Sequence, residues 1–253
     1  MSARAKKPIV VIAGSGLGEK LGAGQAERRV VNTSFGKIPV LHSSWGNREV
    51  FAVQRHGDGH TTPPHKVNYR GIISVAKEVG AEAIFASNAV GTMDTTRYPV
   101  ESLALGKDLL PWQLSLNGGP VTFFDSFPNG PVHTDFSKPF NARLNLLLMD
   151  SASDLNLSLI PGASVVTTSG PRYETAAEIR TFQSMGMHLA GMTTAYEAIL
   201  AGEQGTPYAA IFVITNPCTG ISGNRLSHEE VKSVFARRAD DLVRLFTRAF
   251  ETM

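Results

Sequence analysis

The feature of this sequence that most constrains its fold is an alternation between short apolar, β-branched runs and segments with helical spacing. Strands that are apolar on both faces lie in a sheet that helices cover on each side. Several of the apolar runs have that character, so the alternation predicts an α/β protein with three layers. The predicted strands cover residues 9–13, 49–54, 82–87, 164–168, 188–192 and 208–215.

Helical spacing predicts helices over residues 66–79, 174–185, 196–201 and 227–251. Gly80, Gly186 and Gly202 follow the first three segments, and glycine is a favoured residue for ending a helix. Ser227, with Glu230 three residues later, has the pattern of a capping box, which predicts that the last helix begins there.

Composition narrows the class of protein. The chain has 253 residues, of which 42% are hydrophobic, and it contains no repeat or clean linker, so we expect a single domain over residues 1–253 with a flexible stretch at 1–8. Residues 117–139, rich in Gly, Pro, Asn and Asp, are predicted to be a long surface loop. A net charge of +2 gives no bulk-charge reason to expect a nucleic-acid or membrane partner.

The expected location is the cytoplasm. Cys218 is the single cysteine, so the chain has no intrachain disulfide, which fits a reducing compartment. No apolar run is long enough for a signal peptide or a membrane span.

A glycine-containing turn, Gly14-Ser15-Gly16, follows the first predicted strand. Glycines let backbone amides approach an anion, and the Ser15 hydroxyl adds a donor. The turn does not fit the dinucleotide fingerprint, because Glu19 stands where the third glycine belongs, and it lacks the lysine of a P-loop. An anion site and an ordinary tight turn both remain open on this signal alone.

Two more strand ends carry polar or small residues. Arg55 and His56 follow the second predicted strand, and arginine offers a planar fork for a tetrahedral anion. His60 lies four residues after His56, but no further cluster has the spacing of metal ligands, so we expect no metal; a solvated loop is the alternative. At 87–92, small residues would let backbone amides reach a ligand at the carboxyl edge of the sheet.

Taken in order along the chain, these segments resemble the trimeric purine nucleoside phosphorylase family, which includes methylthioadenosine and methylthioinosine phosphorylases. The resemblance implies a nucleoside phosphorylase-like α/β domain with a mixed central sheet, assembled as a homotrimer or hexamer. It also implies a purine nucleoside as substrate, inorganic phosphate as co-substrate and no cofactor. The segments that carry it are Gly14-Ser15-Gly16-Leu17, Arg55-His56-Gly57, Val67-Asn68-Tyr69-Arg70, Asn88-Ala89-Val90-Gly91, Gly170-Pro171-Arg172-Tyr173-Glu174-Thr175, Gly191-Met192-Thr193-Thr194 and Thr215-Asn216.

The resemblance also implies a role for individual positions, with Asn216 and His56 as the catalytic residues. The residues implied to bind phosphate are Ser15, Arg55, His56, Ala89 through its amide, and Thr193. Those implied to bind the base are Tyr173, Glu174 and Asn216. Those implied to bind the sugar are Met192, His228, His60 and, from the neighbouring subunit, His133.

The residue types near the base favour 6-oxopurines. A 6-oxopurine carries a proton on N1 that the Glu174 carboxylate can accept, whereas adenine presents a lone pair there. Asn216 points the same way, because adenosine-type members of the family carry aspartates in this stretch. We therefore expect inosine- or guanosine-like substrates; the alternative for Glu174 is a capping role in the first turn of a helix.

The 5′ substituent of the sugar stays open. His228 matches phosphorylases in which a histidine binds the 5′-hydroxyl, although it also lies beside the Ser227 cap. Against that, Asn216-Pro217 with Gly220 and Gly223 resembles the methylthioinosine branch, so a methylthioinosine or methylthioadenosine phosphorylase is the alternative.

The chain departs from the family pattern at two places. It has Ala195-Tyr196-Glu197 where most relatives have Val-Pro-Glu, so the helix entry near the phosphate is expected to shift. Trp112 stands where aspartate is frequent in the family.

Two alternatives to a phosphorylase remain open. A hydrolase, in which water replaces phosphate, would need a general base where phosphate would bind. A catalytically silent nucleobase-binding protein is a further alternative, because fold alone does not establish activity.

Overall fold

The structure is a computed structural model that describes residues 6–14, 26–223 and 227–253. Ser15, Gly16 and Leu17, and residues 1–5 of the stretch expected to be flexible, lie outside the described residues.

Nine strands in the described residues form one mixed sheet. They are β1 Ile9–Ala13, β2 Glu27–Thr33, β3 Gly36–Trp45, β4 Arg48–Gln54, β5 Ala83–Thr92, β6 Leu103–Pro111, β7 Leu159–Thr167, β8 Leu189–Gly191 and β9 Tyr208–Pro217. Their order is β2-β3-β4-β1-β5-β8-β7-β6-β9, and β9 also pairs with β5, so the last five strands close on themselves. Strands β4, β1, β5 and β9 run parallel, whereas β8 is antiparallel to β5.

Helices cover both faces of this sheet, which confirms the predicted three-layer α/β class. The described α-helices are α1 Tyr69–Glu78, α2 Ala142–Asp154, α3 Ala176–Ser184, α4 Thr194–Gln204 and α5 His228–Thr252. Strand β1 alternates between two cores: Val10 and Ile12 belong to the core that holds α1 and α4, and Ile9 and Val11 to the core that holds α2 and α5. This period of two is what a strand with two covered faces requires.

Several element predictions were incomplete. Strands β2, β3 and β6 and helix α2 were not predicted, and β5 continues through the small residues at 87–92. Helix α4 does not end at Gly202; it continues to Gln204, and Gly205 ends it at φ 72°. Gly202 is instead a packing position, because a Cβ there would lie 3.0 Å from the Phe136 ring.

Ser227 is the N-cap of the last helix, as predicted, but the predicted capping box with Glu230 was wrong. The Ser227 side chain accepts a hydrogen bond from the backbone N–H of Glu229, at 3.2 Å, and the box with Glu230 is not formed. A complete capping box instead begins α3, where Thr175 and Glu178 exchange hydrogen bonds.

The predicted surface loop at 117–139 is confirmed. Apart from a bridge between Leu116 and Gly119 it forms no strand or helix, and most of its residues are exposed, including Phe127 and Val132. Within the described ranges, no helix has the length and apolar character needed to cross a membrane.

Candidate active site

A cavity of about 460 Å³ opens where β1, β4 and β5 reach their carboxyl ends. Ligands of α/β sheets usually bind at such an edge. Of the twelve residues that sequence reasoning assigned to the site, ten line this cavity. They are Arg55, His56, His60, Ala89, Tyr173, Glu174, Met192, Thr193, Asn216 and His228.

Part of the cavity wall is a gap in the sheet beside β5. Pairing of β5 with β1 stops at Ala86, and pairing with β8 starts at Gly91, so no described strand pairs with residues 87–90 on that side. Gly14, directly after β1, packs closely against β5 at the start of the gap: its N–H donates to Ser87 Oγ at 3.1 Å, and a Cβ there would lie 2.7 Å from the Ser87 carbonyl oxygen.

The gap exposes a backbone donor. The Ser87 carbonyl faces this side of the strand, because it accepts hydrogen bonds from Arg55 at 3.2 Å. Backbone groups two residues apart in a strand point to the same side. The Ala89 N–H therefore points into the gap, where an anion could accept it.

Arg55 is buried, and its guanidinium is held by Glu197 of α4. Its Nε and Nη2 atoms donate to the two Glu197 carboxylate oxygens, the second at 3.2 Å, and Tyr208 Oη donates to Oε2 at 2.8 Å. Burial disfavours the charged guanidinium, but the Glu197 carboxylate outweighs burial, so the pKa of Arg55 is raised.

This arrangement changes the expected role of Arg55. A guanidinium has five N–H groups. Glu197 and the Ser87 carbonyl take four of them among the described residues, which leaves one N–H on Nη1 for a ligand. The planar fork therefore binds the Glu197 carboxylate, whereas the sequence had suggested that it would bind the anion. Sequence reasoning did not assign Glu197 to the site; a carboxylate inside the apolar segment of α4 was the available signal.

Thr193, immediately before α4, is turned toward the same gap by Asn88. The Asn88 Nδ2 group donates to Thr193 Oγ1 at 2.9 Å, and Thr193 makes no side-chain capping bond to its helix. The Thr193 hydroxyl hydrogen is therefore left to donate to a ligand. Asn88 was part of a recognised segment, but no role had been assigned to its side chain.

Three imidazoles lie in a row along the cavity. The rings of His56 and His60 are 4.2 Å apart, and those of His60 and His228 are 5.1 Å apart. Burial, followed by the charge of Arg55, lowers the pKa of His56 to about 3. Burial, followed by His228 and Lys232, lowers the pKa of His60 to about 4. These two rings are therefore neutral at physiological pH.

A carboxylate and an amide, those of Glu174 and Asn216, also line the cavity. Glu174 is buried, and Thr168 Oγ1 donates to its Oε1 at 2.7 Å, which leaves Oε2 for a ligand. Thr215 donates to Asn216 Oδ1 at 2.8 Å, and Asn216 Nδ2 donates to the Pro217 carbonyl at 2.9 Å. The Asn216 amide is thus oriented, with its second N–H left for a ligand.

Residues 8–251 match the Phosphorylase superfamily. The chain belongs to this superfamily. It is 35% identical to the 6-oxopurine nucleoside phosphorylase of Pyrococcus furiosus, over 95% of this chain and 91% of that protein. It is also 35% identical to the probable S-methyl-5′-thioinosine phosphorylase of Methanopyrus kandleri, over 96% and 91%.

A solved structure supports the same assignment. Methylthioadenosine phosphorylase from Schistosoma mansoni, in complex with adenine, superposes with a TM-score of 0.87 at 25% identity, over 96% of this chain and 91% of that one. The mixed, helix-covered sheet is therefore the phosphorylase superfamily fold.

In this phosphorylase the helix entry lacks proline but is anchored by an aromatic pair. Tyr196 stacks on Tyr69 with ring centroids 4.4 Å apart and planes 3° apart, and both rings are buried. Tyr69, the first residue of α1, also donates through Oη to the Pro64 carbonyl at 2.9 Å, so the aromatic pair is tied to the loop that lines the cavity. Helix α4 begins at Thr194, directly after Thr193.

Two positions of interest lie away from the cavity. Trp112 packs edge-on against Phe182 of α3, at 5.3 Å, and does not line it. His133 lines a separate surface cavity with Phe127 and Val132, so one chain alone does not bring it to the site. No group of three or more His, Cys, Asp or Glu side chains that could hold a metal is found within residues 6–14, 26–223 and 227–253.

Proposed function

We propose that this phosphorylase cleaves 6-oxopurine nucleosides of the inosine and guanosine type with inorganic phosphate, and releases the purine base and ribose 1-phosphate. One observation carries the proposal: a single cavity is lined both by anion donors and by a carboxylate and an amide that can bind a purine. The names of the 6-oxopurine nucleoside phosphorylases that it resembles support this substrate class.

The reaction makes and breaks one bond at C1′. A phosphate oxygen attacks C1′, the C1′–N9 bond breaks, and its electrons leave with the purine. From hydrogen phosphate and a neutral nucleoside, the products are the ribose 1-phosphate dianion and a neutral purine, so the proton lost by phosphate balances the proton gained by the base. The anion, near Arg55, Ala89 and Thr193, also stabilises the positive charge that develops on ribose.

Asn216 would stabilise the negative charge that develops on the purine. Its remaining N–H can donate to N7, and donors aimed at developing charge contribute about 100- to 1000-fold in rate. In this account Tyr173 contacts the base and Met192 packs against the ribose; both line the cavity. No paired carboxylates are needed, because phosphate takes the place of activated water.

Glu174 and Asn216 together would select the base. The remaining Glu174 oxygen can accept N1–H of a 6-oxopurine, whereas the N1 lone pair of adenine would face a carboxylate. Thr215 and the Pro217 carbonyl orient the Asn216 amide, and its remaining N–H is a donor that suits the acceptor edge of an oxo-purine.

A second candidate differs only at the sugar. Pro63, Pro64 and Val231 add apolar surface to the part of the cavity that holds His60 and His228, and methylthioinosine phosphorylases are among the named relatives. The ratio of kcat/KM for inosine and 5′-methylthioinosine decides between them. We expect His228 to favour the 5′-hydroxyl, and a preference for the methylthio compound would assign the chain to the second class.

The proposed function is tested by base release from inosine, guanosine, adenosine and their 5′-methylthio forms, with and without phosphate. We expect turnover of the 6-oxopurines that requires phosphate. Faster turnover of adenosine would refute the base assignment, and equal turnover without phosphate would indicate a hydrolase. Binding with no release in any condition would indicate a nucleobase-binding protein without activity.

We further propose a cytoplasmic homotrimer in which His133 reaches the sugar site of the neighbouring subunit. Exposed Phe127 and Val132 beside His133 support a contact of this loop with another chain. Sedimentation equilibrium should give three times the mass of the chain, and His133→Ala should raise KM for the nucleoside more than it lowers kcat. A monomer with full activity would refute this assembly.

A further inference from the structure

We propose that His56 binds phosphate as a hydrogen-bond acceptor, through Nε2, and thereby selects oxyanions that carry a hydroxyl group over those that carry none. The inference rests on the proposed function, because it takes the Arg55 end of the cavity to be the phosphate site. It adds a specificity role that depends on which ring nitrogen of His56 holds the proton.

The backbone decides which nitrogen that is. His56 Nδ1 lies 2.8 Å from the carbonyl oxygen of Thr62, and a carbonyl can only accept. Nδ1 therefore carries the hydrogen, and in a neutral imidazole the other nitrogen, Nε2, is then an acceptor. The Thr62 N–H also donates to the His56 carbonyl, at 3.0 Å, so the loop and the ring are fixed together.

The surroundings keep this ring neutral. Burial disfavours a second proton on the ring, and so do Arg55 beside it on the chain, His60, whose ring centroid lies 4.2 Å away, and His228 from α5. The Glu197 carboxylate of α4, which binds the neighbouring Arg55, is already engaged by Arg55 and Tyr208, and within the described part of the chain no carboxylate is among the groups that most shift the pKa of His56. Burial, followed by Arg55, lowers the pKa of His56 to about 3, in agreement with the geometry.

Among the described residues, the other groups that we place around the anion are donors. They are the remaining Nη1 hydrogen of Arg55, the Ala89 N–H and the Thr193 hydroxyl. The Thr193 oxygen accepts a hydrogen bond from Asn88, so its own hydrogen can be donated to the anion. Hydrogen phosphate offers deprotonated oxygens to these donors and one P–OH group to His56 Nε2. Sulfate has the same charge and shape at neutral pH but no hydroxyl, so one of its oxygens would face the Nε2 lone pair.

The test is the equilibrium binding of three anions to the full chain by titration calorimetry. Phosphate and arsenate both carry a hydroxyl, and we expect them to bind within a few-fold of each other. Sulfate should bind more weakly by about 10- to 100-fold, because one acceptor is left without a donor. His56→Ala should weaken phosphate and bring the sulfate-to-phosphate Kd ratio close to one.

His42→Ala is the matched control, since His42 lies on β3 outside this cavity and contacts Glu49. It should leave the anion ratio unchanged. Sulfate binding as tightly as phosphate, or a ratio that His56→Ala does not alter, would overturn the proposal. If phosphate itself does not bind, the proposed function falls with it, so the two failures are distinguishable.

A second readout does not depend on affinity or turnover. In protein labelled with ¹⁵N-histidine, the ring signals of His56 should report the neutral tautomer with hydrogen on Nδ1, both without anion and with phosphate bound. A ring protonated on Nε2, or on both nitrogens, when phosphate is bound would contradict the acceptor role even if phosphorolysis is confirmed.

Discussion

Replacing Glu174 by glutamine should move base preference from 6-oxopurines toward 6-aminopurines. Thr168 Oγ1 donates to Glu174 Oε1 at 2.7 Å, and this bond is expected to persist to the amide oxygen of the variant. The amide NH₂ group would then occupy the position of Oε2 and face the base. It would oppose the N1–H of inosine but donate to N1 of adenosine.

The size of the effect follows from the bond that is lost. A hydrogen bond to a charged acceptor contributes about 1.5–3 kcal/mol, and each 1.4 kcal/mol is about a factor of ten. The kcat/KM for inosine should therefore fall by about 10- to 150-fold, whereas that for adenosine should not fall. Initial rates with both nucleosides at saturating phosphate measure this directly.

Thr168→Val is the matched control for this experiment. It removes the hydroxyl that orients Glu174 but keeps the carboxylate, so we expect a smaller loss for inosine and no gain for adenosine. An equal loss with both substrates in Glu174→Gln would mean that Glu174 supports the fold and does not read the base. Unchanged inosine turnover would refute the contact altogether.

Three further predictions concern stability. Glu197→Gln leaves Arg55 buried without its carboxylate and should cost about 3–5 kcal/mol in urea unfolding; an unchanged midpoint would contradict the pairing. The folded pKa of His56, about 3, lies below its ordinary value of 6.5, so its contribution is complete above about pH 6.5 and is lost as pH falls toward 3. His56→Ala should flatten that acid dependence, and parallel curves would refute it. Tyr196→Ala should cost about 3–5 kcal/mol through the lost stack on Tyr69, whereas Tyr196→Phe should cost less than about 1 kcal/mol; equal losses would exclude stacking as the cause.

The sheet was predictable where its strands are covered on both faces. Apolar residues alone identified β1, β4 and β9. Strand β2 escaped prediction because it starts with Glu27, Arg28 and Arg29, is largely exposed and pairs only with β3 at the sheet edge. In β6 the apolar pattern is broken by Gly106. A larger residue would collide with the ring of Phe140, because a Cβ at this position would lie 2.8 Å from the ring. A contact between residues so far apart in sequence leaves no local periodicity.

The convergence of the site residues on one cavity was predictable, but the hydrogen-bond partners within the cavity were not. The family resemblance, which depends on the order of the segments, implied a set of site residues, and ten of them line one cavity in the structure. The sequence could not show that the Arg55 fork faces Glu197, that Asn88 turns the Thr193 hydroxyl, or that Thr62 fixes the His56 ring. Each depends on which donor meets which acceptor after folding, and spacing along the chain does not encode that.

The most direct measurement of the central claim is the identity of the sugar product. Inosine and phosphate incubated with the protein can be followed by ³¹P NMR while free hypoxanthine is measured in the same sample. We expect the inorganic phosphate signal to be replaced by that of ribose 1-phosphate, with one molecule of ribose 1-phosphate formed for each hypoxanthine released. Hypoxanthine accompanied by free ribose, with the phosphate signal unchanged, would contradict it.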